Sequence, residues 1–172
     1  FLGRITQQKG PEYFVEAARL ILQTNRDVHF IMAGSGDKMD NMVEMTARYG
    51  LSNQFHFTGF LRGDEVYRIL RISDVFVMPS VSEPFGIVPL EAMLSDVPVI
   101  ISRKSGISEI IKYALKVDFW DVDDLAGKIC AALTWDALTR EMVERSREEL
   151  RALTWARAAA EIEEVYRRVG AG

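Results

Sequence analysis

Glu83 and Glu91 stand with seven residues between them in the segment E-P-F-G-I-V-P-L-E. A carboxylate is an acceptor-only group that can hold two neighbouring hydroxyls, such as those of a ribose or a hexose. If a helix opens at Ile87, the amides of Phe85, Gly86, Ile87 and Val88 are left unpaired beside the two acids. Such amides and the helix dipole favour an anion, above all phosphate. The carboxylates repel phosphate, so the pattern asks for a ligand with phosphate and hydroxyl groups side by side. Far upstream, Arg4 and Lys9 bracket the loop T-Q-Q-K-G. Arg can grip two phosphate oxygens at once, and Lys adds a point charge. Taken singly, each residue has a plainer reading. Glu83 would be a helix-capping acid, Glu91 a solvated helix acid, and Arg4 and Lys9 ordinary surface cations.

The elements that must position these groups can be read from apolar periodicity. Residues 75–78 are a β-rich apolar run that Pro79 ends, and 87–94 reads as a helix with Pro89 in its first turn, where a missing N–H matters little. A second buried strand follows at 97–101. This strand–loop–helix–strand unit implies a right-handed crossover, with ligands beyond the carboxyl end of the strand. Residues 1–5 read as the tail of a strand, 11–23 as a helix, and 28–33 as a strand that Gly34-Ser35-Gly36 closes. A helix at 37–49, a strand at 54–58 and a helix at 64–71 follow. Beyond the central unit come a short helix at 108–113, a strand at 115–119, and helices at 121–133, 136–153 and 154–169, the last capped by Thr154. The alternation predicts an α/β fold, a Rossmann-like parallel sheet of about six strands with helices on both faces.

The string S-D-V-F-V-M-P-S-V-S-E-P-F-G-I-V-P-L-E-A-M, residues 73–93, resembles the signature of retaining GT-B glycosyltransferases, and is most similar to glycosyltransferase family 4. G-R-I-T-Q-Q-K-G at 3–10 matches the same family, and the resemblance covers nearly the whole chain. It identifies residues 1–172 as the C-terminal, nucleotide-sugar-binding half of a GT-B fold, the acceptor-binding N-terminal half being absent. It implies a retaining hexosyltransferase that moves a sugar from a nucleotide-diphosphate donor to a hydroxyl on a sugar, lipid or other acceptor. Arg4 and Lys9 would hold the diphosphate and, with Glu83 on the donor sugar, form the catalytic set. Glu91 would take the ribose, Gly34 would approach the nucleotide, and the main chain near Leu61 would pass the base. Phe85, Gly86, Ile87 and Val88 would supply amides to the phosphates. No metal and no cofactor apart from the donor are implied, and the isolated domain would be inactive without its other half.

Two other classes remain open on the sequence. One is a different GT-B enzyme, such as an epimerase or a phosphorylase. The other is a non-catalytic nucleotide-sugar binding or scaffold module. The chain departs from the family where Ser105-Gly106 replaces a glycine pair, where Asp96 replaces a common glycine, and where the loop before Leu115 is short. Glu109 either faces the cleft or caps a helix.

Composition narrows the rest. The 172 residues are enough for one α/β domain with a real core, and the apolar share of 48% and charged share of 27% are those of a soluble globular protein. A net charge of -4 argues against a general nucleic-acid binder. The single cysteine, Cys130, excludes an internal disulfide and a cysteine-rich zinc site, and reads as a buried structural thiol. His29 and His56 read as structural. The chain opens at Phe1 inside an apolar stretch, as part of a longer protein would. Without a spanning segment or signal peptide, a cytoplasmic location is expected. The Arg and Glu residues of 140–157 suggest a solvated, ion-paired helix face, with peripheral docking on an anionic membrane as the sharper alternative.

Overall fold

In the computed structural model, which describes residues 1–170, strands and helices alternate along the chain. A 3-10 turn at Gln7–Lys9 leads into α1 (Pro11–Leu22), β1 (Phe30–Ala33), α2 (Met39–Arg48), β2 (Phe55–Gly59) and α3 (Asp64–Arg71). Then come β3 (Phe76–Met78), α4 (Val88–Leu94), β4 (Val99–Ser102), a second 3-10 turn at Gly106–Glu109 and β5 (Leu115–Val117). Three helices end the chain: α5 (Val122–Thr134), α6 (Asp136–Ala152) and α7 (Trp155–Gly170). β1 pairs with β2, and β3, β4 and β5 form a ladder in that order; every pairing is parallel.

The strands form two sheets, β1-β2 and β3-β4-β5, and β3 and β4 are buried at every position, covered on both faces. Successive side chains of a strand point to opposite faces. Val77 and Ile100 therefore join Val117 in a core with Phe14, Ile21, Phe30, Phe55, Leu125 and Ile129, under α1 and α5. Their neighbours Phe76, Met78, Val99 and Ile101 face the other way. They pack on Leu70 of α3, Ala92 and Met93 of α4, and on Ile107 and Ile111. This is the α/β, Rossmann-like arrangement that the alternating pattern predicts, with continuously buried strands at β3 and β4 and a half-exposed strand at β2.

The strands are fewer and shorter than the apolar runs suggest. The first, expected over residues 1–5, is reduced to a parallel bridge between Leu2 and Ala33. Its hydrogen bonds are Ala33 N–H to the Phe1 carbonyl, 2.9 Å, and Gly3 N–H to the Ala33 carbonyl, 3.0 Å. Gly3 has φ +151 and interrupts the ladder, which resumes in a single bond from Ile5 N–H to the Ser35 carbonyl at 2.9 Å. Five strands and this bridge stand where about six strands are expected. β4 starts at Val99 because Pro98 has no N–H to give, although its carbonyl accepts from Phe76 N–H at 2.9 Å. The short helix expected over 108–113 is a 3-10 turn ending at Glu109.

The C-terminal helices are ion-paired at their surface. Arg145 bonds Glu141 at 2.8 Å and Glu148 at 3.2 Å, and Arg157 bonds Glu161 at 3.0 Å. Thr154 caps α7 by accepting from Arg157 N–H at 3.2 Å. No residue of α7 is buried, and Trp155 is 93% exposed. Among the described residues, no helix is long and apolar enough to cross a membrane. Cys130 is half-buried and packs against the core. His29 and His56, both exposed, bond each other through Nδ1 and Nε2 at 3.0 Å.

Candidate functional site

Every strand pairs in parallel with its neighbour, so within each sheet the segments that leave the strands' carboxyl ends emerge at one edge. The Arg4–Lys9 loop follows the first bridge, Gly34 follows β1, and Leu61 follows β2. The Glu83–Val88 loop follows β3, and Ser105-Gly106 follows β4. Main-chain hydrogen bonds bring three of these segments together, the Arg4–Lys9 loop and the Ser105-Gly106 segment both meeting the β3–α4 loop.

The loop between β3 and α4 is pinned from two sides by main chain. On one side, the Gln8 carbonyl accepts from Val81 N–H at 2.9 Å and Ser82 N–H at 3.3 Å. On the other, Gly106 N–H donates to the Glu83 carbonyl and Ile107 N–H to the Phe85 carbonyl, each at 2.8 Å. A Cβ on Gly106 would lie 2.0 Å from the Pro84 carbonyl oxygen. Close approach, then, is what this glycine provides. Gly10, with φ +61, lies almost as close to the Pro79 carbonyl oxygen, 2.3 Å from an added Cβ. Gln8 and Gly106 are supports that a reading of side-chain chemistry overlooks. A main-chain carbonyl has no signature in the sequence, although the family-like glycine at 106 is a signal for the second.

Within this frame Glu83 and Lys9 form an ion pair, their side chains 12% and 16% exposed. Burial pushes the Lys9 ammonium below its ordinary value, and the positive charge of Arg4 pushes it further. The structure therefore sets Arg4 within electrostatic reach of Lys9. Arg4 itself is exposed and has no acidic partner among the described residues. The second oxygen of Glu83 accepts weakly from Phe85 N–H at 3.4 Å. Among the described residues, the amides of Gly86, Ile87 and Val88 make no hydrogen bond. Gly86 has φ +98, a conformation that a side chain disfavours. Phe85 and Ile87 meet the site by main chain only. Their side chains line a neighbouring groove of about 980 Å³ with Tyr113 and Trp155.

Glu91 is half-buried on α4, and its carboxylate has no hydrogen-bond or ion-pair partner among the described residues. Leu61 follows β2 by two positions and its main chain is likewise unpaired. Gly34 is buried with φ +139. Its N–H donates to the Gly59 carbonyl at 2.8 Å, and an added Cβ would lie 1.8 Å from the Gly3 carbonyl oxygen. Packing of the first bridge against the end of β1 is thus enough to demand glycine there. Glu109 is exposed and caps nothing.

Known proteins resemble this chain in sequence and in fold. The family model described as "Glycosyl transferases group 1" matches residues 1–149. An uncharacterized glycosyltransferase of Methanocaldococcus jannaschii is 34% identical over 172 residues, 97% of this chain and 44% of the relative. Sulfoquinovosyl transferase of Arabidopsis thaliana is 41% identical over 168 residues, 94% of this chain and 31% of the relative. The chain thus spans less than half the length of these relatives. Among solved structures, the C-terminal domain of a glycosyl transferase group 1 family protein from Francisella tularensis superposes with a TM-score of 0.80 at 25% identity. That match covers 89% of this chain and 83% of that domain. By its sequence and by its fold, the chain is a GT-B domain and belongs to the glycosyl transferases group 1 family.

Proposed function

We propose that this domain binds the nucleotide-diphosphate sugar used by a retaining hexosyltransferase of glycosyltransferase family 4, of which it forms one half. The observation that carries the reading is the meeting of two cations, Arg4 and Lys9, with a carboxylate, Glu83, at the carboxyl edge of a parallel sheet. Arg4 and Lys9 grip the diphosphate, where negative charge grows as the bond to the sugar breaks. The free amides of Gly86, Ile87 and Val88 add donors to the same oxygens. Glu91, whose carboxylate is unengaged, takes the ribose hydroxyls, and Glu83 takes hydroxyls of the donor sugar. Gly34 lies near the nucleotide, and the unpaired main chain of Leu61 meets the base edge. The charge on the diphosphate is met by side-chain cations, so the site needs neither a metal ion nor another cofactor. The acceptor, a sugar, a lipid or another hydroxyl compound, enters from the half of the protein that lies outside this chain. Work in the cytoplasm, where nucleotide-sugars serve as donors, fits this chemistry.

Isothermal titration of the chain with UDP, ADP and GDP, and then with their glucose and mannose conjugates, tests the assignment. One nucleotide binds, and Glu91→Ala weakens it about tenfold or more, as expected on losing a hydrogen-bonded charge worth about 1.5 kcal/mol or more. Failure of all three nucleotides to bind overturns the donor-site assignment.

A further inference from the structure

Glu83 is engaged in a way that holding a sugar does not require. One carboxylate oxygen lies on the Lys9 ammonium and the other accepts from the Phe85 amide at 3.4 Å. A cation and a loop amide are the donors a phosphate would use. Glu83 therefore sits on the partners assigned to the diphosphate, while Arg4 has no such occupant among the described residues. We propose that Glu83 is an internal competitor of the diphosphate, holding Lys9 whenever no donor sugar draws its carboxylate away. The inference rests on the donor-site reading above and adds a specificity that this reading lacks.

The two ligands offer this pair different partners. A nucleotide-sugar brings a phosphate for Lys9 and hydroxyls for Glu83, so both members of the pair exchange partners and neither is left bare. A nucleoside diphosphate brings only the phosphate. Taking Lys9 then strands a sheltered carboxylate, and stranding one member of a sheltered pair is costly. The site thus favours the donor over the product that remains after transfer, and Glu83 helps to expel that product. The depressed ammonium of Lys9 agrees with this: burial and Arg4 disfavour its charge, and a neighbouring anion offsets that.

Glu83→Gln keeps the shape and removes the competing charge. Two measurements on this chain read the effect. The first is the rate at which acetic anhydride modifies the Lys9 amine without nucleotide, followed by mass spectrometry. The second is the calorimetric affinity for UDP, ADP and GDP and for their sugar conjugates. In E83Q, Lys9 should react faster, and the nucleoside diphosphate should bind about fivefold tighter or more, the upper end for an exposed ion pair and a floor for a sheltered one. The sugar conjugate should bind no tighter. In a Lys9→Met background, Glu83→Gln should give no gain, because the contested cation is gone. Unchanged Lys9 reactivity in E83Q overturns the pairing. Raised reactivity with unchanged or weaker diphosphate binding overturns the competition and leaves the donor-site reading standing. If neither the parent chain nor E83Q binds any nucleotide, the donor-site reading fails and takes this inference with it.

Discussion

Gly106→Ala places one methyl group where the structure has no room for it. The added Cβ would lie 2.0 Å from the Pro84 carbonyl oxygen and 3.3 Å from the Phe85 Cα. A comfortable carbon–oxygen contact is about 3.3 Å, so the Pro84 carbonyl must retreat by about 1.3 Å. Pro84 lies between the two carbonyls that this segment bonds, those of Glu83 and Phe85, each at 2.8 Å. A shift of that size stretches both bonds beyond hydrogen-bonding length. At about 0.5–1.5 kcal/mol net for each, the loss is about 1–3 kcal/mol of stability. The same movement displaces Glu83 and the Phe85–Gly86 main chain by about 1 Å, enough to cost about a hundredfold in turnover where groups are held for reaction. Urea unfolding of this chain reads the loss of stability and nucleotide titration the displaced site, with affinity expected to fall about tenfold, or about 1.4 kcal/mol. Gly127→Ala is the control. Gly127 lies inside α5, and its added Cβ meets nothing within 4 Å. There the same methyl should stabilise by about 0.5–1 kcal/mol through helix propensity, with binding unchanged. If Gly106→Ala stays within about 0.5 kcal/mol of the parent, the ordinary range for an unconstrained surface site, and binds nucleotide equally well, the account of this loop is wrong.

Two further outcomes follow from other sites. Asp96 holds a left-handed backbone, φ +60, and its carboxylate accepts from Arg147 Nε at 2.7 Å. That bond holds the Asp96 carboxyl below its ordinary value. The stability it supplies is therefore present above about pH 4, the unfolded value, and is lost as pH falls through the lower folded value. Asn also tolerates this backbone, so Asp96→Asn should be less stable than the parent at pH 7, by under about 1 kcal/mol for so exposed a pair, and the gap should close in acid. Urea unfolding in neutral and in acid buffer checks this, and an equal gap in both would contradict it. Ser80 is fully buried, and its hydroxyl has no partner among the described residues. Ser80→Ala should thus be neutral or stabilising, by up to about 1 kcal/mol, in thermal unfolding, and a loss of more than about 1 kcal/mol would show that the hydroxyl is bonded.

The central unit was legible because its signals are local. Pro79 stops β3, Gly86 turns the loop, and Pro89 sits in the first turn of α4, where the missing N–H is harmless. Apolar content marked the strands, but pairing partners set their ends. Residues 1–5 read as a strand, yet Gly3 interrupts their pairing and leaves a single bridge. G-S-G after β1 shows how one pattern carries two meanings. Added Cβ atoms on Gly34 and Gly36 would strike the Gly3 and Ile5 carbonyl oxygens. A glycine required for such packing looks the same in sequence as one required by a ligand. The paired His29 and His56 were equally invisible, since the bond depends on the register that sets Ile31 beside His56.

The way the β3–α4 loop is anchored bears on what its charges are free to do. Gln8, Gly106 and Ile107 hold it through main-chain hydrogen bonds at both flanks, and close contacts at Gly10 and Gly106 fix its path. The Lys9–Glu83 ion pair is thus not needed to hold the loop in place. A sheltered ion pair is also a poor source of net stability, because desolvation offsets much of the attraction. With position secured by the backbone, the two side chains can exchange partners while the loop stays still. A site built this way can release a carboxylate to hydroxyls and an ammonium to phosphate in one step, without a moving lid and with little backbone reorganisation.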